Sequence, residues 1–170
     1  MQKAGLYVVG IAGAGCPIVS SLGADEVIDY RGKSMADLSV AISQAAGGKL
    51  RHALDCVSED GTLETIAEAF KNGGKATYVL LYSDDFLSKL PASLEHSRTM
   101  VAEAYGADAE FATKWFAKLG EWMEEGTFKA QKVTIIEGGL NGVAEGLRRL
   151  KDGEVKSEKF VYRIKETQGL

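Results

Sequence analysis

The sequence predicts an α/β fold with a doubly wound, mostly parallel sheet and helices on both faces. Three observations predict it. Short apolar runs rich in β-branched residues alternate with amphipathic stretches of helical period. Glycines close most of these stretches, as they do at turns and helix ends. The chain is 45% hydrophobic and 26% charged, which is the composition of a globular domain. Because strands and helices alternate, right-handed crossovers and parallel pairing are expected.

The first half of the chain is predicted to hold four strands and three helices. Each strand is a short apolar run, and each helix begins near a capping residue and ends near glycine. Ser34 is the predicted N-cap of the second helix, and either Asp60 or Thr62 caps the third, which ends at Asn72. The predicted strands are residues 6–11, 27–30, 51–57 and 76–82, and the first two helices are residues 17–22 and 34–45.

The second half is predicted to continue as one domain, residues 1–170, with no linker or repeat. A polar loop leads to a strand at 98–104, and then Asp108 caps the longest helix, which runs to Glu125. We interpret the apolar stripe of that helix as core first and as a partner surface second. The stripe consists of Phe111, Trp115, Phe116, Leu119, Trp122 and Met123. Strands at 132–137 and 159–164 flank a last helix at 140–150.

Charge and cysteine content exclude several classes of function. A net charge of −4 and a pI near 5.3 argue against nucleic acid or anionic membranes as partners. No window approaches the ~20 apolar residues of a membrane span. Cys16 and Cys56, with His52 and His96, are too few and too scattered for a zinc cluster, so no metal is expected. We therefore expect a cytoplasmic, metal-free protein.

Four segments, in this order, resemble one family. They are SSLGADEVIDYRG at 20–32, ALDCVS at 53–58, NGGKATYVL at 72–80, and GGLNGVAEGLRRLKDGEVKSEKFVYRI at 138–164. Together they resemble the medium-chain dehydrogenase/reductase superfamily, in particular its zinc-independent quinone oxidoreductase branch with the fungal ToxD-like and trans-acting enoyl reductases. The segment SRTMVAEAYG at 97–106 also resembles the fungal enzymes.

The resemblance implies a truncated Rossmann-type domain. Relatives carry an upstream GroES-like catalytic domain and a first strand–turn–helix, and the opening MQKAGLYVVG resembles the end of that first helix. We expect both pieces to be absent here. The strand at 159–164 joins the catalytic domain in relatives, so residues 159–170 would need a new position. The strand near 98–104 often joins two nucleotide domains, which implies a homodimer.

The cofactor that the resemblance implies is NADPH. In this interpretation Gly10, Ala12, Gly13, Gly15 and Tyr30 surround the adenosine end, while Cys56, Val57 and Leu81 face the adenine or nicotinamide side. No lysine, arginine or serine stands in 10–15 to meet a 2′-phosphate. A different interpretation takes GIAGAG at 10–15 as a first dinucleotide fingerprint with Asp29 as the ribose acid. The order of its glycines, G-x-x-G-x-G, argues against that alternative.

Three functions remain open at this point. The first is NADPH-dependent enoyl or quinone reduction in polyketide metabolism, with activity that needs the absent portion. The second is a repurposed, cofactor-independent cyclase or isomerase that holds a polyketide-like small molecule. The cleft that holds this ligand would be lined by Tyr30, Cys56, Leu81, Tyr82 and His96. The third is a non-catalytic interaction subunit or truncated product.

The absent first strand predicts a structural problem. In the doubly wound order it would lie between the strands at 6–11 and 51–57, which would face each other with unpaired backbone groups. Each buried, unsatisfied group costs roughly 1–3 kcal/mol. The sheet could close up, exchange a strand with a second copy or borrow one from a partner. We expect these two strands to pair directly, or a second copy to exchange a strand in a homodimer or strand-swapped oligomer.

Overall fold

The computed structural model describes residues 5–59 and 61–169. Predictions that concern residues 1–4 and the Asp60 cap lie outside these residues. The described elements alternate along the chain as expected. The strands are β1 (Val9–Ala12), β2 (Glu26–Asp29), β3 (His52–Asp55), β4 (Gly74–Tyr78), β5 (Leu94–Arg98), β6 (Lys132–Ile136) and β7 (Glu158–Tyr162). The α-helices are α1 (Cys16–Ser21), α2 (Met35–Ala45), α3 (Thr62–Ala69), α4 (Asp84–Leu87), α5 (Ala109–Glu124) and α6 (Val143–Lys151). Short 3₁₀ helices cover Val101–Tyr105, Gly139–Gly142 and Ile164–Glu166.

Every strand pair is parallel, which confirms the predicted fold class. The strands form three groups, β1–β2, β3–β4–β5 and β6–β7. The expected direct pairing of the first and third strands is wrong, because β1 bonds to β2 and β3 bonds to β4 while the two groups stay separate within the described chain. The interior of the sheet is therefore divided by a gap between β1 and β3.

The principal core lies where α3 packs on the three-stranded group. Leu63 is fully buried, and Phe70, Ala76, Tyr78 and Leu94 surround it. Burying a leucine or phenylalanine side chain contributes roughly 1.5–3 kcal/mol, so this cluster fixes the helix on β4 and β5.

A glycine, Gly74, is the first residue of β4 after α3. Gly74 has φ 153°, and a Cβ at this position would overlap the ring of Phe70. The absence of a side chain at position 74 therefore lets the strand begin directly beside the buried aromatic ring.

Two helix starts test the predicted caps. Ser34 caps α2 as predicted, since its hydroxyl accepts a hydrogen bond from the Asp37 amide. The cap of α3 is different: Gly61, at φ 89°, precedes the helix, and Thr62 is its first residue. The Thr62 hydroxyl is instead directed to the Asp55 carboxylate, at 2.6 Å.

The prediction of a strand at 98–104 is wrong. Pairing with β4 fixes β5 at Leu94–Arg98, and the Thr99 amide still donates to the Tyr78 carbonyl at 2.8 Å. Beyond this bond β4 has no further residue to pair with, so the chain turns into the 3₁₀ helix at Val101–Tyr105. β4 likewise ends at Tyr78 rather than at residue 82, because the Val79 amide donates to the Ser58 hydroxyl and leaves the ladder.

The aromatic stripe of α5 is not core. The helix has the predicted extent, but none of its residues is buried. Phe111 and Phe116 are exposed, and the rings of Trp115 and Trp122 lie 6.1 Å apart at the surface. Periodicity identified the apolar face correctly but could not show whether another element covers it. No described helix is both long enough and apolar enough to cross a membrane.

Candidate functional site

The carboxyl ends of the strands carry the predicted site residues in two groups. The loop after β1 and the end of β2 form one group, and the ends of β3, β4 and β5 form the other. In open parallel sheets, ligands bind in the crevice outside these carboxyl ends. The gap between β1 and β3 separates the two groups.

The first group brings Gly13 and Tyr30 together. A Cβ built on Gly13 would lie 3.0 Å from the Tyr30 hydroxyl oxygen, so the ring lies directly against the glycine. Half of Tyr30 is exposed, at 51%. The Tyr30 amide donates to the Ala12 carbonyl at 3.1 Å, which fixes the end of β2 beside the loop. The structure places these two residues side by side.

Internal packing accounts for the other glycines of this loop. A Cβ on Gly10 would overlap Val19 of α1, and a Cβ on Gly15 would lie 2.7 Å from the Ser157 hydroxyl oxygen. The helix that follows has only six residues, Cys16–Ser21. The loop therefore lacks the extended helix on which a first dinucleotide fingerprint relies to neutralise a diphosphate.

The Asp29 carboxylate is engaged by its own neighbour. The Arg31 guanidinium binds it at 2.6 Å, and the Arg31 amide donates to it at 2.9 Å. These hydrogen bonds lower the pKa of Asp29 to about 2. The acid proposed as a ribose ligand in the alternative interpretation is thus already paired with a cation within the chain.

The second group is organised around Asp55, the last residue of β3, which is only 5% exposed. Its carboxylate accepts the Val57 amide at 3.1 Å, the Ser58 amide at 2.8 Å and the Thr62 hydroxyl at 2.6 Å. The Tyr82 hydroxyl also donates to it, at 3.3 Å. Such a carboxylate is fully occupied in holding the strand end, the start of α3 and the β4 loop together.

The two ionisable candidates in this group are both held in their protonated forms. Desolvation raises the pKa of the Cys56 thiol, and the charge of Asp55 raises it further. Desolvation is also the main cause that raises the pKa of the Tyr82 hydroxyl; the hydrogen bond with Thr62 opposes it and the Asp55 charge adds to it. A raised thiol pKa argues against Cys56 as a nucleophile.

The residues proposed for a cofactor-free ligand site do not converge. Cys56 and Gly10 line a cavity of about 920 Å³ between β1 and β3. Leu81, 79% exposed, lines a second cavity of about 690 Å³ with residues of the β5 end. The described residues that line these two cavities do not include Tyr30, Tyr82 or His96.

Two of the remaining predicted residues, Tyr82 and His96, lie against the same ring, that of Tyr78, at centroid distances of 5.2 and 6.2 Å. The Tyr82 ring also stacks on Phe86 at 4.9 Å. Val57 is exposed beside the cysteine. These contacts are local packing within the three-stranded group.

Sequence reasoning missed Asp55, Ser58 and Thr62 as the organisers of this edge. Ser58 has φ 54°, an unusual conformation for a residue with a side chain, and its hydroxyl accepts the Val79 amide at 2.9 Å. The sequence did contain a signal for Asp55, because an aspartate at the end of a buried strand needs hydrogen-bond donors. Which donors it meets depends on tertiary contacts that no local pattern encodes.

Most of the chain matches a known family. A family model described as "Zinc-binding dehydrogenase" matches residues 22–156. The chain belongs to this family. The match begins directly after α1 and extends beyond α6, so it includes both groups of strand ends apart from the β1 loop.

Fungal enzymes are among the similar curated proteins. A trans-enoyl reductase of Gibberella fujikuroi is 29% identical and covers 85% of this chain. The trans-enoyl reductase FSL5 of Gibberella zeae is 30% identical and covers 86% of it. The chain spans 45% and 44% of the length of these two relatives.

Solved structures with similar folds include two of particular interest. The CurF ER cyclopropanase from the curacin A biosynthetic pathway superposes with a TM-score of 0.69 at 14% identity, over 94% of this chain and 47% of that one. CurA from Vibrio vulnificus, solved in complex with NADPH, gives 0.67 at 20% identity, over 94% of this chain and 50% of that one. At these identities the likeness establishes the fold alone.

Among the described residues there is neither a cluster of metal ligands nor an unoccupied start of α3 for a diphosphate. No group of three or more histidine, cysteine, aspartate or glutamate side chains lies close enough, in the part of the chain described, to hold a metal ion. At the start of α3 the Gly61 amide already binds the Glu64 carboxylate at 3.0 Å, and Asp55 lies beside it. Two carboxylates oppose a diphosphate at that helix end. Gly13 and Tyr30 lie against each other, and their role at an adenosine stays a prediction.

Proposed function

We propose that this chain forms the nucleotide-side part of an NADPH-dependent enoyl reductase of polyketide metabolism. The observation that carries the proposal is that trans-enoyl reductases of several fungi match about 85% of this chain. An enoyl reductase saturates a carbon–carbon double bond conjugated to a carbonyl group. The chain spans under half the length of these relatives, so activity requires polypeptide that supplies the diphosphate cradle and the substrate pocket.

The geometry supports an adenosine-binding role for the Gly13–Tyr30 pair. The tyrosine ring is held at the carboxyl edge of the sheet and half exposed, where one of its faces can stack on a base or ribose. A Cβ at position 13 would lie 3.0 Å from the ring, so a side chain there would require the ring to shift. In this proposal Cys56 and Val57 contribute shape and apolar surface on the other side of the gap, and Leu81 contributes apolar surface beside the end of β5.

A titration tests the nucleotide part of the proposal. The full chain is mixed with NADPH, and binding is followed by nicotinamide fluorescence, alone and with the unmatched half of the Gibberella fujikuroi relative added as a second polypeptide. We expect weak binding alone, at least tenfold tighter binding with the added half, and consumption of NADPH on a crotonyl thioester only in the mixture. Absence of NADPH binding in both samples would contradict the proposal.

A pair of tyrosine variants tests the assigned residue. Tyr30→Ala removes the ring at the strand edge, whereas Tyr105→Ala removes an equally large ring that is 91% exposed in the 3₁₀ helix after β5. Loss of one base-stacking contact is worth about 1–3 kcal/mol, or roughly 5- to 150-fold in affinity. We expect this weakening for Tyr30→Ala and unchanged affinity for Tyr105→Ala. Equal affinities would remove Tyr30 from the site.

A further inference from the structure

Two segments that are distant in sequence bring polar side chains to the loop after β1, residues 12–16. The Tyr30 ring, directly after β2, lies against Gly13. A Cβ on Gly15 would lie 2.7 Å from the Ser157 hydroxyl oxygen, so the segment before β7 also reaches this loop. Residues 10–15 carry neither a cation nor a hydroxyl group of their own. Recognition of an anion by side chains at this loop therefore depends on the two neighbouring segments.

Ser157 combines a strained backbone with an unused hydroxyl group. Its φ is 57°, and among the described residues other than glycine only Ser58 also has a positive φ. The Ser58 hydroxyl accepts the Val79 amide, whereas no hydrogen bond within the described chain uses the Ser157 hydroxyl. Ser157 is half-buried. Backbone strain of this kind clusters at ligand sites, so Ser157 is a candidate ligand residue.

Arg31 has one edge of its guanidinium group open. Its Nε and Nη2 donate to the Asp29 carboxylate, at 3.0 and 2.6 Å, while Nη1 has no hydrogen-bond partner among the described residues. The pKa of Arg31 is raised mainly by Asp29, and the charges of Cys16 and Tyr30 add to this effect, so the guanidinium lies near the loop. Asp29 therefore orients Arg31 and leaves the N–H groups of Nη1 free for an anion.

The end of β2 carries a net positive charge. The Lys33 amide donates to the Tyr30 carbonyl at 3.1 Å, so the chain turns back beside the loop. The charge of Lys33 also contributes to the lowered pKa of Asp29, after the larger effect of the Arg31 hydrogen bonds. Two exposed cations, Arg31 and Lys33, thus outweigh one carboxylate. An anion is attracted to this edge although the whole chain has a net charge of −4.

We propose that Arg31 and Ser157 bind the 2′-phosphate of NADPH and so select NADPH over NADH, an inference that rests on the proposed function. The Nη1 of Arg31 and the Ser157 hydroxyl donate to phosphate oxygens, Lys33 adds charge, and the Tyr30 ring packs against the adjoining adenosine. A phosphate monoester suits these donors because it offers three acceptor oxygens and close to two negative charges at neutral pH. NADH has a neutral hydroxyl group in its place, which gains much less from a guanidinium.

Three adenosine phosphates distinguish this site from a general affinity for anions. Adenosine 2′,5′-bisphosphate carries the phosphate that only NADPH has, and adenosine 5′-monophosphate lacks it. The 3′,5′-bisphosphate has the same charge as the 2′,5′ isomer but carries the phosphate on the neighbouring ribose carbon. Each nucleotide is titrated into the full chain, and binding is followed by NMR of the backbone amides.

The 2′,5′-bisphosphate should bind about tenfold more tightly than either of the other two nucleotides, because hydrogen bonds to a charged group are stronger than neutral ones. Its binding should shift the amide signals of Gly13, Gly15, Arg31 and Ser157. The preference should decrease as the pH falls through about 6, where the phosphate gains a proton. A residue with a structural role alone would not give this dependence on pH.

Two arginine variants test the cation. Arg31→Gln should weaken binding of the 2′,5′-bisphosphate about tenfold and leave the affinity for the monophosphate unchanged. Arg163→Gln is the matched control, because Arg163 is also an exposed arginine that is paired with a carboxylate, that of Glu166 at 3.2 Å. Arg163 follows the end of β7, whereas Ser157 precedes its start. The control should keep the full preference.

Two serine variants separate the hydroxyl group from the strain. Ser157→Gly and Ser157→Ala both remove the hydroxyl, so each should lose about threefold of the preference for the 2′,5′-bisphosphate. Ser157→Gly also relieves the positive φ and should have a higher Tm than Ser157→Ala. Weaker binding in the more stable variant cannot result from a folding defect. A full preference in both variants would overturn the assignment of Ser157.

The nucleotides also separate this inference from the proposed function. Equal affinities for the two bisphosphates, or for all three nucleotides, would overturn the inference and leave the adenosine site in place. An equal loss of all three in Arg31→Gln would give Arg31 a structural role and overturn it as well. Binding of none of the three would contradict the adenosine site itself, and the inference would fall with it.

Discussion

The Ser58 amide donates to the buried Asp55 carboxylate at 2.8 Å, and the Ser58 hydroxyl accepts the Val79 amide at 2.9 Å. A single residue at φ 54° thus connects the end of β3 to the first residue after β4. Because both side chains are buried, neither bond can be replaced by water without rearrangement. The carboxyl edge of the three-stranded group therefore depends on this pair.

Asp55→Ala is expected to destabilise the chain by about 2–4 kcal/mol, because it leaves the Val57 and Ser58 amides and the Thr62 hydroxyl without their acceptor. Urea unfolding followed by circular dichroism measures the loss. Asp152→Ala, which removes an exposed carboxylate paired with Arg148, should change the unfolding free energy by less than about 0.5 kcal/mol. Similar losses for both variants would show that Asp55 does not organise the strand ends.

Two substitutions at Ser58 distinguish the effect of backbone strain on stability from the effect of the lost hydrogen bond. Ser58→Ala keeps the left-handed conformation and removes the acceptor of the Val79 amide, which should cost about 1–3 kcal/mol. Ser58→Gly loses the same bond but relieves the positive φ, so it should be about 1 kcal/mol more stable than Ser58→Ala. The order of the two unfolding free energies is the test, and the reverse order would contradict the assigned strain.

The sequence was sufficient to predict the order and type of most helices and strands, but not the residues at which they begin and end. Apolar runs and capping residues located α2 and its Ser34 cap, because those signals are local. The end of β4 was misplaced because Val79 leaves the ladder for the Ser58 hydroxyl, a partner 21 residues away. The prediction of a strand at 98–104 was wrong for a similar reason. The position of β5 is set by its pairing with β4 and not by its own residues.

The site was predictable only in part. Gly13 and Tyr30 follow consecutive parallel strands, and topology alone brings such residues together, as it does here. Leu81 and Cys56 follow strands of one group yet line different cavities, because the chain turns after β4 in a way that depends on tertiary hydrogen bonds. Coverage of the α5 stripe could not be predicted at all, since periodicity reports an apolar face and not its partner.

Two glycine substitutions should have opposite effects. Gly120 lies within α5 with open space where a Cβ would be, so Gly120→Ala should stabilise the chain by about 0.5–1 kcal/mol. A Cβ on Gly142 would overlap the Glu137 carbonyl oxygen and lie 3.1 Å from Ile136, so Gly142→Ala should cost about 1–3 kcal/mol. Thermal unfolding of both variants measures the difference. A neutral Gly142→Ala would contradict the close packing at the start of α6.

Asp29 should titrate well below an ordinary aspartate. Hydrogen bonds from Arg31 lower its pKa from 3.8 to about 2, so the interaction is present above pH ~4 and is lost as the pH falls through about 2. The chemical shift of the Asp29 carboxyl carbon, followed by NMR against pH, gives the midpoint. Arg31→Gln should raise that midpoint toward 3.8, whereas Lys33→Gln, which removes a smaller contribution, should leave it near 2. An unchanged midpoint in Arg31→Gln would refute the pairing.

The homodimer stays a prediction, and β5 gives it a specific geometry. The Thr99 amide bonds to Tyr78, so by alternation Ser97 faces β4 and the backbone of His96 faces the outer edge, to which no described strand bonds. Two copies can join these edges about a twofold axis. His96→Pro removes the central outward amide while the bonds to β4 remain, so sedimentation velocity should show monomers. His96→Ala keeps that amide and should remain dimeric. A dimer that persists in His96→Pro would place the contact elsewhere, since proline cannot donate across the shared edge.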